Sequence, residues 1–99
     1  MLNFFTLSVS QLVSLNGNGK NDKLLIKGLE NYPNNKIDIF NGWESLVYSK
    51  NKYINDWDGK ANVADAQGSD ILPAGTYYVI VEFGDANVKP YHWYLQLKY

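Results

Sequence analysis

Residues 14–22 form a polar run whose side chains can ligate a cation. The run reads SLNGNGKND, and its two glycines permit backbone angles that other residues resist, which predicts a tight loop. Oxygen ligands of the kind that calcium prefers are available from Asn16, Asn18, Asn21 and Asp22. A plain turn between two strands is the alternative, because asparagine–glycine pairs are common turn formers.

A second pair of candidate groups, Asp56 and Asp58, flanks Trp57. Paired carboxylates can serve acid–base catalysis or bind a cation. The alternative is an Asx turn in which Asp58 and Gly59 supply ordinary turn chemistry and Trp57 fills the core. We favour the turn, and we keep Asp58 as a candidate cation ligand.

Few other residues offer chemistry. The chain has no cysteine, which excludes disulfides, thiolate catalysis and cysteine-ligated zinc. His92 is the only histidine, and no nucleophile-elbow or metal motif is present to partner it. It alternates with Trp93 along a predicted strand, so its side chain is expected to point to solvent. We therefore expect a protein without catalytic activity or a resident cofactor, calcium excepted.

The three tryptophans, Trp43, Trp57 and Trp93, have two interpretations. Together they can build a flat aromatic platform for sugar stacking, as in a carbohydrate-binding module. Aromatic rings of this size more often fill a sandwich core. We predict the core role for them.

The elements that must position these residues are short strands. Alternating or short apolar runs occur at residues 5–10, 24–26, 36–40, 46–49, 76–83 and 91–99, with turn formers between them. Tyrosine and tryptophan favour pleated, half-buried surfaces, and aromatic residues make up 15% of the chain. No long segment has helical periodicity. The pattern predicts an antiparallel β-sandwich.

Length and charge restrict the classes of function. Ninety-nine residues are enough for one domain, which we assign to residues 1–99, with residues 1–12 as its first strand or its edge. The net charge of −1 lacks the electrostatic footprint of a nucleic-acid binder. The apolar stretch 2–13 is too short and too polar to span a membrane, and it lacks the features of a signal peptide. We expect no nucleic acid partner and no membrane insertion.

Several segments, in order, resemble one known family. The chain is similar to the gliding-motility-associated C-terminal domain of Bacteroidetes proteins, also called the type B sorting domain of the type IX secretion system. The resemblance extends over nearly the whole chain from about Val13. The segments that carry it are NGNGKND at 16–22, IKGLENYPNN at 26–35, IFNGW at 39–43, NDWDG at 55–59, LPAGTYY at 72–78 and YHWYLQLK at 91–98.

The resemblance implies an immunoglobulin-like β-sandwich of about seven strands at the C-terminus of a larger exported protein. Such a domain follows N-terminal cargo domains and is read by the outer-membrane type IX secretion machinery. It directs the cargo by way of the periplasm to the cell surface or the medium. A non-catalytic carbohydrate-binding or adhesin-type sandwich module is the alternative, because one sandwich fold hosts many functions.

The chain departs from the family pattern at several positions. Leu15 and Asn18 stand where the first loop usually has proline and aspartate, which weakens the calcium site expected from Asn16, Asn18, Asp22 and Asp58. The usual Asn-Arg-Trp-Gly reads NGWE at 41–44, so a candidate recognition arginine is missing. Near the C-terminus, His92, Trp93 and Tyr99 replace a lysine, a glycine and a basic residue.

The last strand is a candidate partner-binding element. If residues 91–99 lie at a sheet edge, their free backbone groups can add to a partner's sheet. The alternative is an ordinary paired strand with one face in the core. The candidate partner-binding residues are Tyr91, Tyr94, Leu97, Lys98 and Tyr99.

Overall fold

The computed structural model describes residues 8–14, 23–63 and 72–99, which form seven β-strands and one 3-10 turn. The strands are β1 (Ser8–Val9), β2 (Leu12–Ser14), β3 (Ile26–Lys27), β4 (Lys36–Phe40), β5 (Leu46–Asn51), β6 (Gly75–Glu82) and β7 (Tyr91–Lys98). The 3-10 turn spans Leu29–Asn31. The fold is all-β, as the alternating apolar pattern predicts.

Five strands form the main sheet, in the order β2-β7-β6-β4-β5. Alternation along the strands buries every second side chain on one face, as the sequence predicts. This face includes Ile37, Ile39, Val47, Tyr77, Val79, Val81, Trp93, Leu95 and Leu97. Strands β1 and β3 pair separately, and Ile26 of β3 belongs to the same hydrophobic core. The opposite face of the main sheet is therefore left for other roles.

One strand pair corrects the expectation of a wholly antiparallel fold. Strand β2 runs parallel to β7, with Val13 opposite Leu97. The reason is the bend after β1, where neighbouring residues bond to different sheets. The Ser10 N–H donates to the Leu25 carbonyl at 3.0 Å, whereas the Gln11 carbonyl accepts from the Gln96 N–H at 3.0 Å. The chain thus leaves one sheet and joins the other without reversing direction.

The same pairing corrects the position predicted for the last strand. Strand β7 lies between β2 and β6 rather than at a sheet edge. It pairs with β6 from Tyr91 to Leu97 and with β2 from Gln96 to Lys98. The alternative interpretation, a paired final strand with one face in the core, is therefore confirmed.

An irregular segment, residues 52–60, closes the core beside β3. The Tyr53 hydroxyl donates to the Leu24 carbonyl at 2.8 Å and accepts from the Trp57 N–H at 2.8 Å. The Leu24 N–H in turn donates to the Trp57 carbonyl at 3.0 Å, and the Ile26 N–H donates to Asn55 Oδ1 at 2.8 Å. Side chains here satisfy the backbone groups that a neighbouring strand would otherwise pair.

Within the described ranges, no helix is long and apolar enough to cross a membrane.

Candidate recognition surface

Aromatic side chains cross the outer face of the main sheet. Phe40 of β4 lies opposite Tyr78 of β6, and Tyr78 lies opposite Tyr94 of β7. We call these three residues the outer aromatic row. The rings of Tyr78 and Tyr94 have centroids 5.1 Å apart, and His92 packs against Tyr78 at 5.6 Å. Tyr94 remains 68% exposed, so the row presents aromatic surface to solvent.

The turn between β4 and β5 borders the outer aromatic row and is fixed by Asn41. Its side-chain Oδ1 accepts from the N–H groups of Trp43 and Ser45, at 2.9 and 3.0 Å. Its backbone also pairs with Ser45 and Glu44. Glu44 has a φ of 62°, a left-handed conformation that side chains other than glycine adopt infrequently. The hydrogen bonds around Asn41 hold the backbone of Glu44 in that conformation.

The row and the turn together line an open groove of about 450 Å³. Its walls are formed by Phe40, Asn41, Gly42, Glu44, Thr76, Tyr77, Tyr78, Ile80 and Tyr94. Glu44 is the only residue in this set with a formal charge. The groove therefore combines aromatic and apolar walls with a single carboxylate at its rim, an arrangement suited to binding rather than to acid–base catalysis, which needs further positioned groups.

The outer edge of the main sheet, strand β5, is partly occupied. Asn62 Oδ1 accepts from the Ser49 N–H at 2.9 Å, and Asn62 Nδ2 donates to the Ser49 carbonyl at 2.7 Å. The Asn62 N–H also donates to the Val47 carbonyl at 3.0 Å. These bonds use the backbone groups that an added strand would need, so this edge is poorly suited to strand addition.

Acidic residues lie near two tyrosines in and beside the 52–60 segment. Burial first, and then the negative charges of Asp56 and Asp58, together raise the pKa of Tyr48 to about 12. Burial also raises the pKa of Tyr53, although its hydrogen bond with Trp57 opposes the shift. Both shifts extend the pH range over which these phenols stay neutral above the usual tyrosine pKa near 10. The two carboxylates thus act on tyrosine ionisation in the core.

Only one of the four calcium ligands predicted from the sequence is among the described residues. Asn16, Asn18 and Asp22 lie outside the described residues, whereas Asp58 is half-buried in the 52–60 segment. Leu24, just after the predicted loop, is hydrogen-bonded to Trp57 next to Asp58. Among the residues that the structure describes, no cluster of acidic or histidine side chains forms a metal site. The calcium site stays a prediction.

The predicted partner-binding residues of β7 do not share one environment. Tyr91, Tyr94 and Tyr99 are exposed at 41%, 68% and 52%, and Lys98 is also exposed. Tyr99 is tethered by its hydroxyl to the Leu72 carbonyl. Leu97, in contrast, is buried in the core, so its side chain cannot contact a partner.

The tryptophans divide in the same way. Trp57 and Trp93 are buried, as predicted, with their indole N–H groups donating to the carbonyls of Lys60 and Ser10 at 2.9 Å. The prediction of a core role for Trp43 is wrong, because its side chain is 87% exposed on the Asn41 turn. A platform made from all three rings is therefore excluded.

Sequence reasoning missed most of the outer aromatic row. Phe40 and Tyr78 lie in segments that the sequence predicts as strands, but the sequence predicts no binding role for either residue. The signal was present in the alternation, because the outward positions of β4, β6 and β7 include Phe40, Tyr78 and Tyr94 where polar residues are expected. Their alignment in one row depends on strand register, which a single sequence does not define.

The chain matches the CHU_C type IX secretion signal domain over residues 7–97. No curated protein and no solved structure is significantly similar to it. The match includes strands β1 to β6, all of β7 except Lys98, and every residue that lines the groove.

Proposed function

Because this chain belongs to the type IX secretion signal domain family, we propose that the export machinery recognises it through the outer face of its main sheet. The domain is a sorting signal that directs an attached cargo protein out of the cell, to the cell surface or the medium. Its family therefore implies two associations, with the secretion machinery and with the rest of a larger cargo protein. The cargo domains lie N-terminal to it, and export passes through the periplasm.

One observation carries the choice of surface. The inner face of the main sheet is used for the core, whereas the outer face carries the outer aromatic row with Tyr94 68% exposed. Aromatic residues of this kind supply much of the binding energy at protein interfaces. The alternative route, strand addition at β5, is opposed by the Asn62 hydrogen bonds.

The proposal extends to an immunoglobulin-like sandwich. Strand β2 pairs in parallel with the last strand, and the β6–β7 hairpin lies beside β4, which fits strand order in that fold. The Tyr77 hydroxyl, near the start of β6, donates to the Pro73 carbonyl at 2.6 Å. This bond has the form of the tyrosine corner of immunoglobulin-like domains. In this arrangement the 52–60 segment takes the place of further strands in the second sheet.

The proposed domain acts by binding and performs no catalysis. The groove offers one carboxylate and aromatic walls. The family to which the chain belongs consists of sorting modules and is not a catalytic family. A carbohydrate-binding role is the second candidate, favoured by the exposed ring of Trp43 beside the aromatic groove. The two candidates differ in their partner, a protein of the export machinery or a glycan.

The export function is tested by fusing residues 1–99 to the C-terminus of a periplasmic reporter in a bacterium that has a type IX system. We expect the reporter to reach the cell surface or the medium in the intact strain and to remain in the periplasm of a strain that lacks the system. Equal distribution in the two strains would contradict a sorting function.

The recognition surface is tested in the same fusion with Tyr94→Ala. We expect reduced export without loss of folding, because Tyr94 is mostly exposed. Ile54→Ala is the matched control, since Ile54 is 70% exposed but lies in the 52–60 segment. Equal export from both variants, each folded, would exclude this face as the recognition surface. Retention of the fusion on a glycan column, lost in Trp43→Ala, would favour the carbohydrate role.

A further inference from the structure

The geometry points to a specific ligand for the groove: the guanidinium group of an arginine side chain presented by a partner protein. This inference rests on the proposed function, because it supplies the chemistry by which the outer face grips its partner. It adds a named contact, in which the Tyr78 and Tyr94 rings stack on the guanidinium and the Glu44 carboxylate accepts its hydrogen bonds.

The aromatic wall of the groove provides a surface on which a guanidinium can stack. The rings of Tyr78 and Tyr94 lie 5.1 Å apart and are tilted by 51°, so they form a bent wall instead of a closed stack. Aromatic faces carry partial negative charge and attract cations, arginine more often than lysine. A planar guanidinium can lie against such a wall and still extend its N–H groups sideways.

Glu44 supplies the negative charge that a guanidinium needs. A carboxylate at a position with φ of 62° costs backbone energy that a glycine there would avoid. The turn nevertheless fixes this residue through the hydrogen bonds of Asn41 with Trp43 and Ser45. The backbone that carries this carboxylate is thereby fixed beside the aromatic groove, where a carboxylate can pair with a fork of N–H donors.

The residues that line the groove do not balance the charge of Glu44. No lysine is among the residues that line the groove, so Glu44 has no cationic partner there. Asp38, on the next row of the sheet, already has a cationic partner, because its carboxylate lies 3.8 Å from Lys36 Nζ. The same carboxylate also accepts a hydrogen bond from the Ser49 hydroxyl. The chain contains no arginine at all. An arginine that pairs with Glu44 must therefore come from another protein.

The shape of the groove favours a side chain on a peptide over a free ion. Its volume of about 450 Å³ is within the range of small-ligand sites, and it is open to solvent. A peptide can lie across the outer face and insert one arginine. A neutral sugar would use the rings but would leave the carboxylate without a charged partner.

Peptide binding is the direct test. The probes are a short uncharged peptide with one central arginine and the same peptide with citrulline, which keeps the shape but removes the charge. NMR spectra of the whole chain should show the Tyr78 and Tyr94 ring signals shifting with the arginine peptide. We expect the citrulline peptide to bind at least fivefold more weakly. Equal binding of the two peptides, or stronger binding of a neutral oligosaccharide, would overturn the inference.

Glu44→Gln and Glu82→Gln form a matched pair of variants. Both remove one negative charge from an exposed residue near the outer face, but Glu82 lies opposite Lys36, outside the groove. We expect Glu44→Gln to weaken arginine-peptide binding about two- to fivefold, as for an exposed ion pair, and Glu82→Gln to leave it unchanged. Equal losses in both variants would indicate general electrostatic attraction and contradict the inference.

The reporter fusion separates the inference from the function on which it rests. If the unmodified fusion is not exported, the sorting function itself fails. If it is exported and Glu44→Gln reduces export more than Glu82→Gln, the groove is the point of contact. Export of the unmodified fusion with equal export of the two variants would remove the groove from recognition while leaving the sorting function in place.

Discussion

The aromatic residues of the core and those of the outer row have opposite hydrogen-bonding situations. In the core, the Tyr53 hydroxyl and the indole N–H groups of Trp57 and Trp93 all bond to backbone groups. On the outer face, Tyr78 and Tyr94 pack mainly against each other and keep contact with solvent. The same residue type therefore stabilises the fold in one region and offers binding surface in the other.

This difference explains why the 52–60 segment can be irregular without weakening the domain. A buried backbone group must have a partner, and here tyrosine and asparagine side chains supply it. Asn35 is the buried polar example: its Oδ1 accepts from the Tyr53 N–H at 2.8 Å, and its Nδ2 donates to the Tyr32 carbonyl at 2.8 Å. In the part of the chain that the structure describes, the aromatic side chains of the outer row do not serve as partners for buried backbone groups.

The largest expected effect separates the two regions directly. Trp57→Ala should reduce the free energy of unfolding by about 3–5 kcal/mol, because it removes a fully buried ring from the core. Tyr94→Ala should cost less than about 1 kcal/mol, because most of that side chain is exposed. Urea unfolding followed by circular dichroism measures both. Similar losses in the two variants would contradict the division between core and surface rings.

The second largest effect on stability is expected from removing the hydroxyl group of a single core tyrosine. Tyr53→Phe leaves the Leu24 carbonyl and the Trp57 N–H without their partner, which should cost about 2–3 kcal/mol. Tyr77→Phe is the control, since it removes a single hydrogen bond to Pro73 and should cost about 1 kcal/mol. The comparison is made by urea unfolding of both variants. A smaller loss in Tyr53→Phe than in Tyr77→Phe would show that water replaces the Tyr53 contacts.

The strands were largely predictable from the sequence. Alternation in residues 36–40 and 76–83 gave strands that agree with β4 and β6 to within a residue at each end. The alternation of buried and outward side chains along these strands also follows from the sequence, because burying one face of a sheet imposes period two. Trp43 was misplaced because residue type alone favours burial, whereas the Asn41 turn carries this ring away from the core.

Long-range pairing and the groove could not be predicted in this way. The parallel pairing of β2 with β7 joins residues 12–14 to residues 96–98, and no local pattern encodes such a contact. The groove depends on it indirectly, because register brings Phe40, Tyr78 and Tyr94 into one row. Glu44 gave no local signal, since a charged residue in a turn is ordinary in sequence.

Alkaline pH should destabilise the core in a defined window. In the unfolded chain a tyrosine ionises near pH 10, whereas burial first, and then the charges of Asp56 and Asp58, raise the pKa of Tyr48 to about 12. Above pH 10 the unfolded state therefore binds fewer protons than the folded state, and stability falls as the pH rises towards 12. Because Tyr48 is only half-buried, we expect its own share of the loss to be on the order of 1 kcal/mol, and Tyr53, whose pKa burial also raises, adds to it.

This window is measured by urea unfolding at pH 8, 10 and 11.5, with tyrosinate absorbance recorded in parallel. Tyr48→Phe should remove the phenol that ionises near pH 12 and make the pH dependence shallower. A stability that is constant between pH 10 and pH 11.5 would contradict the burial of this phenol.

The smallest expected effect concerns calcium, and it tests whether the segment beside β3 also binds a cation. If Asn16, Asn18, Asp22 and Asp58 bind calcium, only two of the four are carboxylates, so the affinity should be weak. At a calcium concentration equal to the Kd, the stabilisation is about 0.4 kcal/mol, which corresponds to a rise in Tm of about 2–3 °C. Thermal melts with millimolar calcium, and with magnesium as control, measure it.

Asp58→Asn distinguishes a specific site from general screening of acidic residues. Loss of one of two carboxylates should abolish the calcium-dependent rise, whereas Asp85→Asn, in the exposed β6–β7 loop, should retain it. No rise at millimolar calcium in the unmodified chain would exclude the site. The 52–60 segment would then serve the core alone, with Asp58 acting through its charge on Tyr48 and Tyr53, and the outer face would hold the binding chemistry proposed for this domain.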